Sequence, residues 1–187
     1  MLTRVSGGGP SLVRSGHGPV NVLGSARCAW EDLAASPYQN APTIAANVAG
    51  CFAPRLLHWV SVHREIFPAC WPLRCLTLSQ DHGNKLGRGP VFTHAWRHAG
   101  ERVDYAWLSD VVPDTSGCLA VMLALYFGYA PVVLCGIPLD DSGRFHAPHD
   151  EERSYPETND TWAWLRRSHG DRLRSMSGRT RDWFGAP

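Results

Sequence analysis

The sequence predicts an α/β fold: a single Rossmann-like domain with an open, mostly parallel sheet flanked by helices. Three observations carry that expectation. Residues from Ser116 to Gly128 form a helical run that is apolar nearly all round, and the apolar strand from Pro131 to Gly136 follows at once. A buried helix leading into a strand buried on both faces belongs to a parallel sheet. Short β-rich runs, VNVL, TIAA and HWVSV, alternate with helix-compatible segments upstream. The chain has 187 residues, 44% hydrophobic and 19% charged, which suits one core and excludes a disordered or fibrous chain.

Residues 1–18 lack the apolar segment of a secretory signal and read as a flexible leader, which makes the cytoplasm the expected compartment. Residues 19–187 read as one nucleotide-binding domain ending in an Arg-rich segment. Val20 to Leu23 is the first strand, and the small turn Gly24-Ser25-Ala26 passes it into a helix over Trp30 to Ala35. Thr43 to Ala46 is a second strand ending at Asn47, and His58 to Val62 a third ending at His63. Arg74 to Leu78 and Val103 to Leu108 are weaker strand candidates around a glycine-rich loop, Asp81 to Gly89. Asp114, Thr115 or Ser116 can cap the apolar helix and Gly128 can end it. After the following strand comes an acidic loop to about Glu157, then a helix through Trp162, Leu165 and Arg166.

The net charge of +1 is too balanced for a protein that coats nucleic acid. The cations are nonetheless concentrated, since residues 161–187 hold six arginines, and Lys85 is the only lysine in the chain. Arginine favours planar, two-point contact with phosphate or carboxylate. The six cysteines show no paired CxxC spacing and read as reduced core thiols. No apolar stretch is long enough to span a membrane, since the best candidate, Cys118 to Ile137, is broken by Gly128, Tyr129 and Pro131.

In open parallel sheets ligands bind beyond the carboxyl ends of the strands, so the strand-ending residues are the candidate site. Gly24, Ser25 and Ala26 would offer N–H groups to a phosphate, or serve only close packing. Asn47 suits a base or sugar, and His63 suits phosphate contact or proton transfer. Thr115, Ser116 and Gly117 open the buried helix with hydroxyls and N–H groups, as a ligand contact or as a plain cap. Asp140 and Asp141 suit a ribose, a divalent ion or a general base. His146 is a candidate acid or base, while the His146/His149 spacing fixes no metal geometry, so no metal site is assigned. Ser177, Gly178 and Arg179, within the segment Arg172 to Arg181, fit a phosphate or nucleic-acid contact as well as a solvated end.

The runs VNVLGSA, TIAAN and SGCLAVMLALYFGYAPVVLCGIPLD together resemble the sialyltransferase-like group of α/β proteins, which includes bacterial sialyltransferases and small phage or prophage proteins. The likeness spans roughly residues 20–146, and the last run is the most specific. It implies a nucleotide- or nucleotide-sugar-dependent transferase with a cytidine nucleotide-sugar held at Gly24, Ser25, Asn47, Ser116 and Gly117, and His146 as general base. The family's longer Gly-Asn-Gly-Pro-Ser turn is here Gly24-Ser25-Ala26. A second resemblance, to pterin pyrophosphokinases, implies Mg²⁺-dependent phosphoryl or pyrophosphoryl transfer through Asp140 and Asp141. The non-enzymatic alternative is a phage-type accessory module that binds nucleic acid through its arginines.

Overall fold

The structure, a computed structural model, describes residues 2–4, 17–63, 65–80, 91–94, 105–107, 113, 115–141, 143–146 and 160–187. In chain order the described elements are β1 (Leu2–Arg4), β2 (Val20–Leu23), α1 (Ala29–Ala35), β3 (Thr43–Ala46), α2 (Ala49–Phe52), β4 (Leu56–Ser61), α3 (Ile66–Gln80), β5 (Val91–His94), β6 (Tyr105–Trp107), α4 (Ser116–Tyr126), β7 (Val132–Cys135), α5 (Asp160–His169), β8 (Leu173–Ser175) and α6 (Gly178–Phe184). The strands form one sheet in the order β1-β6-β5-β4-β3-β2-β7-β8. Its heart is β4-β3-β2-β7-β8, five strands all parallel. The expected Rossmann-like α/β domain is what this chain forms. Leu2–Arg4, inside the segment read as a leader, pairs antiparallel with β6 at the far edge.

Every residue of β2, β3 and β7 is buried, as strands covered on both faces must be. Alternate residues feed two cores. Val20, Val22, Ile44, Val60, Val132 and Leu134 face α4, Trp162 and Leu165 of α5, and Phe184 of α6. Leu23, Ala45, Trp59, Val133 and Cys135 face α1, α2 and Phe67 of α3. The chain thus lays β2, β3 and β4 outward under one layer of helices, crosses by α4 on the other face, and returns beside β2 as β7. That reversal between β2 and β7 is the topological switch point. One buried polar group in the centre is satisfied locally: Asn21 donates from Nδ2 to the Tyr38 carbonyl at 2.7 Å and accepts from Ser36 Oγ at 3.2 Å, which ties the α1–β3 connection to the central strand.

Two expectations need correction. Arg74 to Leu78 is not a strand, because those residues lie in α3. Phe67 packs edge-on against Trp59 at 5.7 Å, and buried Arg74 donates to the Ala53 carbonyl at 2.8 Å, so tertiary contacts override the β-like local sequence. The Arg-rich segment is not a solvated end: Leu173–Ser175 is the parallel edge strand β8, and the next residues form α6. A further strand, β5, lies between the two weak strand candidates. The proposed loop Asp81 to Gly89 falls outside the described residues. Cys28, Cys51, Cys70, Cys118 and Cys135 carry no disulfide. Among the described residues no helix is long and apolar enough to cross a membrane.

His58 on β4 stacks on Phe127 at 4.9 Å, and its Nδ1 has no hydrogen-bond partner among the described residues. Burial lowers its pKa to about 4. The unfolded chain takes up this proton near pH ~6.5, so between the two values the unfolded state holds more protons. Stability present above pH ~6.5 is therefore lost as pH falls towards 4, by up to ~3 kcal/mol. Urea denaturation at pH 7.5 and 4.5 should show a smaller loss in His58→Phe than in the parent, by ~2 kcal/mol or more.

Candidate functional site

The carboxyl ends of β3 and β4 and the start of α4 meet at one place. β3 stops at Asn47, whose φ of 51° is left-handed, a conformation that asparagine tolerates better than most residues with a side chain. The turn is held from several directions. Trp59 Nε1 donates to the Asn47 carbonyl at 2.6 Å, and Asn47 N donates to the Val60 carbonyl at 3.0 Å. Ser116 Oγ accepts from Val62 N at 3.0 Å and lies 2.8 Å from Asn47 Oδ1. The Ser116 hydroxyl donates to Asn47 Oδ1, so the amide stands with Oδ1 towards Ser116. Ser61 Oγ lies 2.7 Å from the same Oδ1, and 2.8 Å from the His63 carbonyl. Asn47 Nδ2 is thereby turned outward, and it donates to no described residue.

α4 starts beside this amide. Thr115 is its N-cap: Oγ1 accepts from Cys118 N at 3.2 Å, and the Thr115 carbonyl accepts from Leu119 N at 3.0 Å. The N–H groups of Ser116 and Gly117 donate to no described residue. Two backbone donors and an oriented side-chain amide therefore stand together at the positive end of an eleven-residue helix. Ser116 itself is buried and committed to the turn, so its hydroxyl positions Asn47 and its N–H faces the edge.

At the switch point the two small-residue turns pack on one another. A Cβ on Gly24 would lie 2.3 Å from the Gly136 carbonyl oxygen and 2.5 Å from Ile137 Cγ1. Gly24, Ala26 and Arg27 spend their N–H groups on the carbonyls of Cys135, Gly136 and Gly143, and Ser25 accepts from Phe145 N. The Ile137 side chain also reaches to 3.6 Å from where a Gly117 Cβ would stand. The Gly24-Ser25-Ala26 turn is thus closely packed, and its Gly24 and Ala26 N–H groups are already satisfied.

Asp32, not among the candidates read from the sequence, is the buried carboxylate behind this turn. Its Oδ2 accepts from Gly136 N at 2.8 Å and from Ser177 Oγ at 2.6 Å. Its place on the buried stripe with Ala29 and Leu33 was the signal that could have found it. Cys28 Sγ lies 3.3 Å from Ser177 Oγ. Burial pushes its thiol up to about 11, against the Ser177 hydrogen bond and with the negative charges of Asp32 and Asp140. A thiol held protonated in this way is a poor nucleophile. Gly178 follows with φ 62°, its backbone against Pro138 and Asp140, and Thr180 Oγ1 donates to the Ile137 carbonyl at 2.6 Å. Gly178 and Thr180 therefore dock α6 onto the loop after β7, while Ser177 ties its start to Asp32 of α1.

The remaining candidates divide between the two places. His63 is exposed at the β4 end, with Nδ1 3.5 Å from Glu65 Oε1, and so belongs with Asn47. His146 is exposed, its ring against Phe145, which packs on Trp30 and Phe52. Asp140 is half-buried beside Gly178, Asp141 is exposed and Arg179 is half-buried. No group of three or more His, Cys, Asp or Glu placed to hold a metal ion occurs among the described residues.

Comparison with protein-family models, curated proteins and solved structures finds no match to this chain. Its architecture is that of a parallel, open-sheet α/β protein.

Proposed function

We propose that the chain is a nucleotide- or nucleotide-sugar-dependent transferase of glycosyltransferase-like type, with its donor held at the carboxyl edge between Asn47 and the first turn of α4. The observation that carries this reading is the Asn47 amide, held in a left-handed turn with Oδ1 anchored and Nδ2 directed outward beside the Ser116 and Gly117 N–H groups. All of these groups are donors, so they suit the phosphate oxygens of a nucleotide or a carbonyl of its base. The sialyltransferase-like resemblance places donor contacts on Asn47, Ser116 and Gly117 as well.

In such a transfer the bond from the sugar's anomeric carbon to the donor phosphate oxygen breaks as the acceptor oxygen bonds that carbon. The α4 N–H groups meet the charge left on the phosphate. His63, with the Glu65 carboxylate beside it, takes the proton of the acceptor hydroxyl. His63, whose carbonyl accepts from the same Ser61 hydroxyl that holds Asn47, is the base this reading uses.

A thermal-shift screen against nucleotides, nucleotide-sugars and divalent ions tests the reading. A donor at about 100 times its Kd adds ~2.7 kcal/mol, which raises the Tm of a domain this size by roughly 5–10 °C. Asn47→Gly should abolish the shift. Its own stability should stay within ~1 kcal/mol of the parent, because glycine relieves the left-handed strain while two hydroxyls lose an acceptor. Asn47→Ala, which keeps the strain, should be the less stable of the two. Absence of a shift with every nucleotide class, or a shift that Asn47→Gly retains in full, rejects the reading. A response to divalent ion alone would favour phosphoryl transfer.

A further inference from the structure

The geometry points to a second ligand site, at the opposite, amino-terminal edge of the sheet, where Arg172 and Arg174 together take the oxyanion of a small molecule, a phosphate or a carboxylate. A pocket of about 360 Å³ opens there, lined by Tyr38, Pro131, Asp171, Arg172, Arg174 and Pro187 among others. Pro131 immediately precedes β7, Arg172 immediately precedes β8 and Tyr38 lies in the connection into β3. With these strands parallel, all three residues stand at the ends remote from Asn47. The volume lies at the lower end of the range for small-molecule sites, which suits a compact ligand.

Both guanidinium groups are held in place by backbone. Arg172 Nη2 donates to the carbonyls of Tyr129 at 2.7 Å and Leu125 at 3.4 Å. Arg174 Nη1 donates to the carbonyls of Leu173, Asp171 and Gly170 at 2.6, 3.1 and 3.4 Å. Each side chain is thus fixed by one terminal nitrogen. Nε and Nη1 of Arg172, and Nε and Nη2 of Arg174, donate to no described residue. Neither arginine forms an ion pair with a described carboxylate, Asp171 included. Tyr38 also lines the pocket, and its hydroxyl has no described partner.

Two guanidiniums held by backbone, neither in an ion pair with a described carboxylate, offer donors of the fork type that matches carboxylate and phosphate oxygens. Arg172 also has a structural task, since it ties the end of α4 to β8. The partners of Arg174 lie within four residues of it, on its own strand and the turn before. Architecture therefore does not require Arg174, and anion capture gives it a role. The site is independent of the transferase reading, because it shares no residue with the Asn47 edge.

Titration calorimetry of the full chain tests this, with inorganic phosphate in one arm and acetate in the other, at constant ionic strength set with chloride. Saturable binding of at least one anion is expected, and the stronger of the two identifies the source as phosphate- or carboxylate-bearing. Arg174→Gln should weaken that binding by about tenfold or more. Tyr38→Phe, which removes one hydroxyl and leaves the ring, should weaken it less and provides a folded variant if Arg174→Gln does not fold. Arg166→Gln, at an exposed position on α5, should leave affinity unchanged. Asn47→Gly should also retain it, which separates this site from the carboxyl edge. The proposal is overturned if neither anion saturates, if folded Arg174→Gln and Tyr38→Phe both bind as the parent does, or if Arg166→Gln weakens binding as much as Arg174→Gln.

Discussion

Gly136→Ala is expected to destabilise the fold by at least ~4 kcal/mol, enough to leave a domain of ordinary stability largely unfolded. Two costs coincide at this residue. Its φ of 66° is left-handed, and a Cβ would stand 2.5 Å from Ala29 Cβ and 2.7 Å from Ala29 Cα. The obstruction is backbone and a helix's first residue, so no side-chain rotation relieves it. Two further variants separate the costs. Gly143, at φ 69°, has only ordinary contacts with Arg27 around a new Cβ, so Gly143→Ala should show the conformational cost alone, ~1 kcal/mol. Gly24 needs no left-handed backbone but has the Gly136 carbonyl oxygen 2.3 Å from its Cβ position. Gly24→Ala should therefore show the steric cost alone, ~3 kcal/mol. Urea midpoints of the three variants provide the comparison, and a Gly136→Ala protein as stable as Gly143→Ala would show that the switch point is not closely packed.

Asp32→Ala is expected to cost ~3 kcal/mol and Asp32→Asn only ~1 kcal/mol. The carboxylate is buried, and both of its hydrogen bonds, from Gly136 N and Ser177 Oγ, converge on Oδ2. An asparagine can place its single carbonyl oxygen there and keep both donors, losing only the charge. Alanine leaves a backbone N–H and a hydroxyl without their acceptor, and detaches the start of α6 from α1. Denaturation midpoints check the ranking, and equal losses in the two variants would mean that the negative charge itself supplies the stability.

The central elements were legible because their residues are buried whatever the rest of the chain does. VNVL, TIAA and VVLC are largely apolar runs of strand length, and SGCLAVMLALY is too apolar to lie on a surface. The edge was not. β8 is only Leu173–Ser175, and its central residue is an arginine, so neither length nor hydrophobicity marks it as a strand. α6 carries two arginines and an aspartate over a short span, and reads as a solvated end until Thr180 and Phe184 are seen to be buried. In α3, Pro72 sits inside the helix, and proline there argues against helix on local grounds. At the site, strand position alone was enough to single out Asn47. Its orientation depends on Ser61 and Ser116, far away in sequence, and no local pattern encodes such a clamp.

The place of β2 at the centre of the sheet also bears on how the chain folds as it is made. Its partner on one side, β3, follows within a few tens of residues, whereas Val20 meets Val132 of β7 more than a hundred residues later. During synthesis β2, β3 and β4 can associate early, but the other edge of β2 keeps an unpaired row of N–H and C=O groups until β7 leaves the ribosome. A strand that ends fully buried thus waits more than a hundred residues for cover on one edge, which leaves VNVL open to misassociation in the nascent chain.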